Sequence, residues 1–158
     1  MSVKNKLSIA VAGATALGIC ANIVPGLEGK KNDAYMDPVG IPTICYGHTK
    51  GVKAGQSLTD DECDRLLLED LGDALAVVDH RVHVPMTETR RAALASFVYN
   101  VGPSKFVDST LLAYMNQGRT REACDQLMRW VYAEGRRLPG LVKRREIERE
   151  LCLMGVAL

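Results

Sequence analysis

Two carboxylates, Glu28 and Asp37, stand nine residues apart across a glycine-rich stretch. Such a pair suits glycoside hydrolysis. One carboxylic acid protonates the leaving oxygen, and the second carboxylate serves as nucleophile or as base for a water. The spacing can place them on opposite walls of one cleft, with Glu28 at a helix start and Asp37 in a strand loop. By itself the pair is a weak signal, because surface Asp and Glu are common.

The elements that must position these residues follow from the local pattern. From Glu28 to about Ser57 the chain is too rich in Gly and Pro for a long helix. Short strands such as Thr43-Ile44-Cys45-Tyr46 fit, and the expected product is a small β-hairpin subdomain. Thr59 with Glu62 forms a capping box, and Leu66, Leu67, Leu71, Leu75 and Val78 continue at helical spacing. This helix should run to about His80 and link two parts of the molecule. Thr87 starts a central core helix carrying Ala93, Leu94, Phe97, Val98 and Val101, and Gly102-Pro103 stops it. A shorter helix follows near Ser109–Gln117. Thr120 caps the next, with Ala123, Leu127, Trp130 and Val131 inward, then Gly135 and Pro139 mark a loop. The last helix spans about Pro139–Met154. The fold class is α+β: a small β-hairpin subdomain plus a larger helical lobe, joined by a long helix.

The pattern around the two carboxylates is far more specific than the pair. It reads Leu27-Glu28-Gly29, Ala34-Tyr35-Met36-Asp37, Val39-Gly40-Ile41-Pro42-Thr43-Ile44 and Tyr46-Gly47-His48-Thr49. This resembles the signature of the phage-type lysozyme family of glycoside hydrolases: Glu, Asp and Thr at set spacing, closed by Gly-His-Thr. The resemblance continues through Ser96-Phe97-Val98-Tyr99-Asn100-Val101-Gly102 and Arg129-Trp130, and into Arg144-Arg145-Glu146 with Glu148-Arg149-Glu150.

The resemblance implies an endolysin, a muramidase cutting the β-1,4 bond between N-acetylmuramic acid and N-acetylglucosamine in bacterial peptidoglycan. It implies Glu28 as general acid, Asp37 as general base and Thr43 as the residue that orients the attacking water, with inversion of configuration. His48 is expected to pair with Asp70 as a structural ion pair. Either Arg144 or Arg145 is expected near Glu28, solvated surface positions being the alternative. No metal or organic cofactor is implied, and the enzyme is expected to act as a monomer on glycan strands. A rival class is a non-catalytic peptidoglycan-binding or membrane scaffold that keeps a lysozyme fold. Retention of Glu28, Asp37 and Thr43 together argues against it.

Ahead of Glu28 lies an uncharged run, Leu7 to Leu27, preceded by Lys4 and Lys6. As a helix it would approach the thickness of a bilayer core. It is only mildly apolar, with five Ala, three Gly, Ser8, Thr15, Asn22 and Pro25. The expectation is two segments: residues 1–27 as a releasable signal anchor and 28–158 as the catalytic domain. The N-terminus would lie in the cytoplasm, the span in the host inner membrane, and the enzyme would later be released to the periplasm. A buried core helix is the alternative.

Of the five cysteines, none forms a CxxC pair or sits near His at zinc-ligand spacing, so a metal site is not expected. Export suggests that four of them pair. The contexts shared with the family favour Cys45 with Cys63 and Cys124 with Cys152, although four cysteines allow three connectivities. Cys20, inside the apolar run, is either an inert thiol or one that exchanges with a domain cysteine. With 158 residues, 47% apolar and 25% charged, the chain has the balance of one globular domain. A net charge of +1 lacks the basic surplus of a nucleic-acid protein.

Overall fold

The structure, a computed structural model, describes residues 14–156. The first part of the apolar run, Leu7 to Gly13, lies outside these residues, as do Lys4 and Lys6. The remainder forms helix α1, Ala16–Leu27, opened by Thr15, whose side chain accepts the Gly18 N–H at 3.2 Å. Ala16, Ile19, Cys20 and Val24 recur on one face of α1 and are buried. From Ala16 onward the run is thus a core helix here, and residues 16–27 share one core with the rest of the chain. Among the described residues, no helix is long and apolar enough to cross a membrane.

Glu28 closes α1 at its C-terminal end, donating its N–H to Val24 O at 2.9 Å. The expected helix start is therefore a helix end, because the apolar run is itself the helix. Three residues later β1, Lys31–Met36, begins, and it pairs antiparallel with β2, Pro42–Cys45, with Tyr35 opposite Thr43.

Helix α2, Asp60–Arg81, carries the complete Thr59–Glu62 capping box and buries Cys63, Leu67, Leu71, Ala74 and Val78. Helix α3, Glu88–Val101, is capped by Thr87 and is buried on every side from Ala92 to Val98. A helix enclosed all round is the centre of a lobe, and α1, α2 and a later helix, α7, pack around it. Gly102 ends it at φ 90°, a conformation that glycine adopts without strain.

The short helices α4, Pro103–Val107, α5, Thr110–Asn116, and α6, Thr120–Gln126, follow. Thr120 is the first residue of α6 and not its cap; Arg119 holds the cap position without a side-chain bond. After α6 a single 3-10 turn, Leu127–Arg129, ends the helical path. Trp130 and Val131 still face inward, but from the extended stretch beyond it, and the Trp130 ring meets Phe97 edge-on at 5.2 Å. The expected loop holds a small hairpin, β3, Tyr132–Ala133, and β4, Arg136–Arg137, turning at Glu134-Gly135. Helix α7 spans Pro139–Leu153.

Two disulfides staple the lobes. Cys45–Cys63 ties β2 to α2, and Cys124–Cys152 ties α6 to α7. Arg90 secures the far end of α7, donating from Nε to Cys152 O at 3.0 Å.

Candidate active site

A cleft of about 440 Å³ opens between the loop after β2 and helices α2 and α3, and Glu28, Tyr46, Asp70, Asp73, Tyr99 and Asn100 are among the residues lining it. Glu28 reaches this wall because α1 ends there. Its side chain is 24% exposed, while that of Arg144, its partner from α7, is only 3% exposed. Arg144 Nη1 donates to Glu28 Oε1 at 2.5 Å. Of the two expected arginines, Arg144 holds the carboxylate, and both are buried rather than solvated.

Asp37 sits at the β1–β2 turn. Its Oδ1 accepts the N–H groups of Val39 at 2.9 Å and Ile41 at 2.8 Å, and its own N–H donates to Ile41 O at 3.0 Å. An Asp side chain that bonds the backbone just ahead of it fixes the turn. Its described hydrogen bonds use Oδ1 alone, which leaves Oδ2 available for a ligand. Thr43, opposite Tyr35 on β2, is buried and donates Oγ1–H to Ile41 O at 2.9 Å. Asp37 and Thr43 therefore share one hairpin, whereas Glu28 belongs to the cleft wall, and neither hairpin residue lines the same cavity.

His48 and Asp70 do pair, at 2.7 Å from Nδ1 to Oδ2. His48 Nε2 faces Lys50 O at 3.0 Å. Both ring nitrogens thus have a polar partner. The pair clamps the loop after β2 to α2, and Asp70 also lines the cleft.

Residues not singled out for the site also converge on it. Tyr99 donates its hydroxyl to Tyr46 O. Burial, and then the nearby Glu28 and Asp70 carboxylates, push its phenol well above the ordinary range, so it remains a donor. Ser96 Oγ donates to Glu148 Oε1 at 2.7 Å, and Arg144 Nη2 donates to Ser96 O at 3.1 Å. Arg145 Nη1 donates to Glu148 Oε2 at 2.6 Å. The sequence did carry a signal for this cluster. Ser96 interrupts the apolar stretch from Ala92 to Val98, and Arg144 and Glu148 are four apart on α7. Buried polar groups at that spacing need partners.

Cys20 lies behind the same cluster and donates Sγ–H to Ala92 O at 3.1 Å. Burial and the neighbouring Glu148 push its thiol up to about 12. A buried, protonated thiol neither attacks a disulfide nor binds a metal readily, and the four domain cysteines are already paired. In this conformation Cys20 fits the inert alternative. Among the described residues no group of His, Cys, Asp and Glu has the arrangement of a metal site.

A helical lobe and a small hairpin flanking a cleft with one partly exposed, arginine-held glutamate define a lysozyme-like glycoside hydrolase. The phage lysozyme profile matches residues 25–148, and the chain belongs to that family, an endolysin of muramidase type. The protein named SAR-endolysin from Enterobacteria phage P21 is 46% identical over 149 residues, covering 94% of this chain and 89% of its own. The SAR-endolysin of Bacteriophage PS119 is 43% identical over 161 residues, covering 98% of this chain and 96% of its own. Among solved structures, the muramidase domain of SpmX from Asticaccaulis excentricus superposes with a TM-score of 0.79 at 33% identity, over 85% of this chain and 94% of that one.

Proposed function

We propose that this endolysin hydrolyses the β-1,4 bond between N-acetylmuramic acid and N-acetylglucosamine in peptidoglycan, with inversion, to lyse the host cell. The observation that carries this reading is Glu28. Its carboxylate lies at the wall of the cleft, held through Oε1 by a buried arginine. Glu28 donates a proton to the leaving oxygen as the bond breaks. Asp37, on the hairpin, takes a proton from water through Oδ2 while Oδ1 keeps the turn in shape. Thr43 accepts a hydrogen bond from that water and orients it. Inversion requires the carboxyl groups to stand far enough apart to admit the water. Peptidoglycan glycan strands are the substrate, the chain works as a monomer, and no cofactor takes part.

The second part of the proposal concerns location. Residues 1–27 first act as a signal anchor in the host inner membrane, N-terminus in the cytoplasm, and the enzyme is released to the periplasm when this segment leaves the bilayer. The structure supports such a coupling through what α1 contributes. With residues 16–27 in a membrane, the Glu88 contact to Ala16, the Cys20 contact to Ala92 and the Arg144 contact to Glu28 could not all form. The tethered chain is therefore inactive.

The experiment is turbidity loss of outer-membrane-permeabilised Gram-negative cells by the soluble full chain, beside its Glu28→Gln variant. Clearing by the first, with a loss of at least about a hundredfold in the second, is the expected result for a general acid. Equal clearing removes Glu28 from catalysis. No clearing by either favours the non-catalytic scaffold.

A further inference from the structure

Glu148 is the only fully buried carboxylate among the described residues, and it lies behind the glutamate of the cleft rather than in the cleft itself. Both of its oxygens are engaged. Oε1 accepts from Ser96 Oγ at 2.7 Å and from Arg144 Nε at 3.1 Å, and Oε2 accepts from Arg145 Nη1 at 2.6 Å. Arg145 is anchored in turn. Its Nε donates to Trp130 O at 3.0 Å, its Nη2 to Asn100 Oδ1, and its guanidinium lies 4.9 Å from the centre of the Phe97 ring.

We infer that Glu148 is a positioning residue for the reaction: through Arg144 it fixes where the Glu28 carboxylate sits and how much positive charge Glu28 feels. The inference rests on the reading of Glu28 as the general acid.

The geometry of Arg144 is the first reason. All three nitrogens of its guanidinium are committed: Nε to Glu148, Nη2 to Ser96 and Nη1 to Glu28. A planar fork bonded on three sides cannot turn without breaking one of these bonds. The nitrogen that meets Glu28 is therefore placed by the two that do not.

The charge balance is the second reason. Two guanidinium groups and two carboxylates make up the cluster, and only Glu28 reaches the cleft. Burying such a cluster costs desolvation that apolar residues of similar volume would avoid, so it is a poor device for stability alone. The other groups facing the two carboxylates do not replace Glu148. Glu28 faces Arg144 and Arg145 from α7 and Tyr99 from α3, while Asp70, Asp73 and Lys50 line the same cleft. Glu148 faces Cys20 from α1 and Ser96 from α3. The Cys20 thiol and the Tyr99 phenol both stay protonated. Glu148 is thus the one other anion bonded to Arg144. Without its charge, two guanidinium groups act on Glu28 alone and favour its ionised form, which cannot protonate a leaving group.

The test compares Glu148→Gln, Glu148→Asp and Glu28→Gln in the soluble full chain, following kcat and KM on peptidoglycan across a pH series. Glu148→Gln is expected to keep KM within about twofold and to move the alkaline limb of kcat down by about half to one pH unit, the scale of one charge at close range. Glu148→Asp, which keeps the charge, is expected to return the limb toward the parent. Arg145→Gln is the second variant, should Glu148→Gln not fold. It leaves Glu148 to Arg144 alone, weakens the pull on Glu28, and is expected to move the limb up. A folded Glu148→Gln with an unmoved limb, or the same proportional loss at every pH, overturns the inference. So does a downward move in Arg145→Gln. Full activity in Glu28→Gln overturns the general-acid reading and this inference with it. An inactive Glu28→Gln beside an unmoved limb sinks the inference alone.

Discussion

Arg144 joins Glu28 across 116 residues of sequence, from the last helix to the end of the first. The bond closes the lobe and presents the cleft glutamate in one act. The site is therefore sensitive to anything that loosens either helix.

Arg144→Met should be among the most damaging single changes. It leaves the fully buried Glu148 with Arg145 as its only charged partner and Glu28 with none in direct contact. Removing one partner from a buried ionic cluster costs about 3 to 5 kcal/mol. Urea denaturation midpoints would read this directly. Arg144→Lys should fall in between, because one ammonium cannot serve three directions at once.

Asp37→Asn and Asp37→Ala should separate two roles of one residue. Asn retains an Oδ1 that can accept from Val39 and Ile41, so its thermal midpoint should stay within a few degrees of the parent. Its activity should fall at least about a hundredfold, the scale of a lost general base. Ala should lose activity equally and also loosen the turn, which hydrogen exchange at the Val39 and Ile41 amides would report.

Glu88 governs how firmly α1 is held at its start. Its Oε2 accepts the Ala16 N–H at 2.7 Å, and this bond, followed by Arg91, lowers its carboxyl below the ordinary value. A carboxylate whose proton affinity is lower in the folded state stabilises the fold above its unfolded pKa of about 4.3. That contribution fades as the pH falls through the lower folded value. Hence α1 should loosen on acidification, and Glu88→Gln should be less stable than the parent at neutral pH but converge with it in acid. Exchange protection of the α1 amides against pH is the measurement. Equal protection in the two proteins at neutral pH would remove Glu88 as the anchor.

Reduction should destabilise the chain without engaging Cys20. The Cys45–Cys63 and Cys124–Cys152 bridges close loops of 18 and 28 residues. Loops of this size correspond to about 3 kcal/mol each in the chain-entropy account. Cys45→Ser with Cys63→Ser should lower the thermal midpoint by several degrees, with hairpin amides exchanging first. In the folded, oxidised protein Cys20 should resist an alkylating reagent until denaturant is added. Rapid labelling in native buffer would show that α1 opens far more readily than its packing implies.

Much of this molecule could be read from local pattern. The Thr59–Glu62 box, the Thr87 cap and the Gly102 stop depend on neighbours within a few residues, so sequence alone located α2 and α3. The run of Glu28, Asp37 and Thr43 with Gly47-His48-Thr49 was equally legible, because it lies in one short stretch. Local pattern misplaced Thr120 as a cap and carried α6 through Val131, since an inward-facing apolar residue looks the same on a helix and in an extended stretch.

What tertiary structure decided was environment. Composition could not distinguish a membrane span from a core helix in the run ending at Leu27, because both bury uncharged residues; from Ala16 onward, packing against α3 made the choice in this conformation. Nor could it choose between Arg144 and Arg145, adjacent residues of identical chemistry. Their directions on α7 differ by about 100°, and only where the end of α1 comes to rest decides which of them meets Glu28. A short-range code fixes elements and motifs, whereas the partner of a buried charge is fixed by where distant helices come to rest.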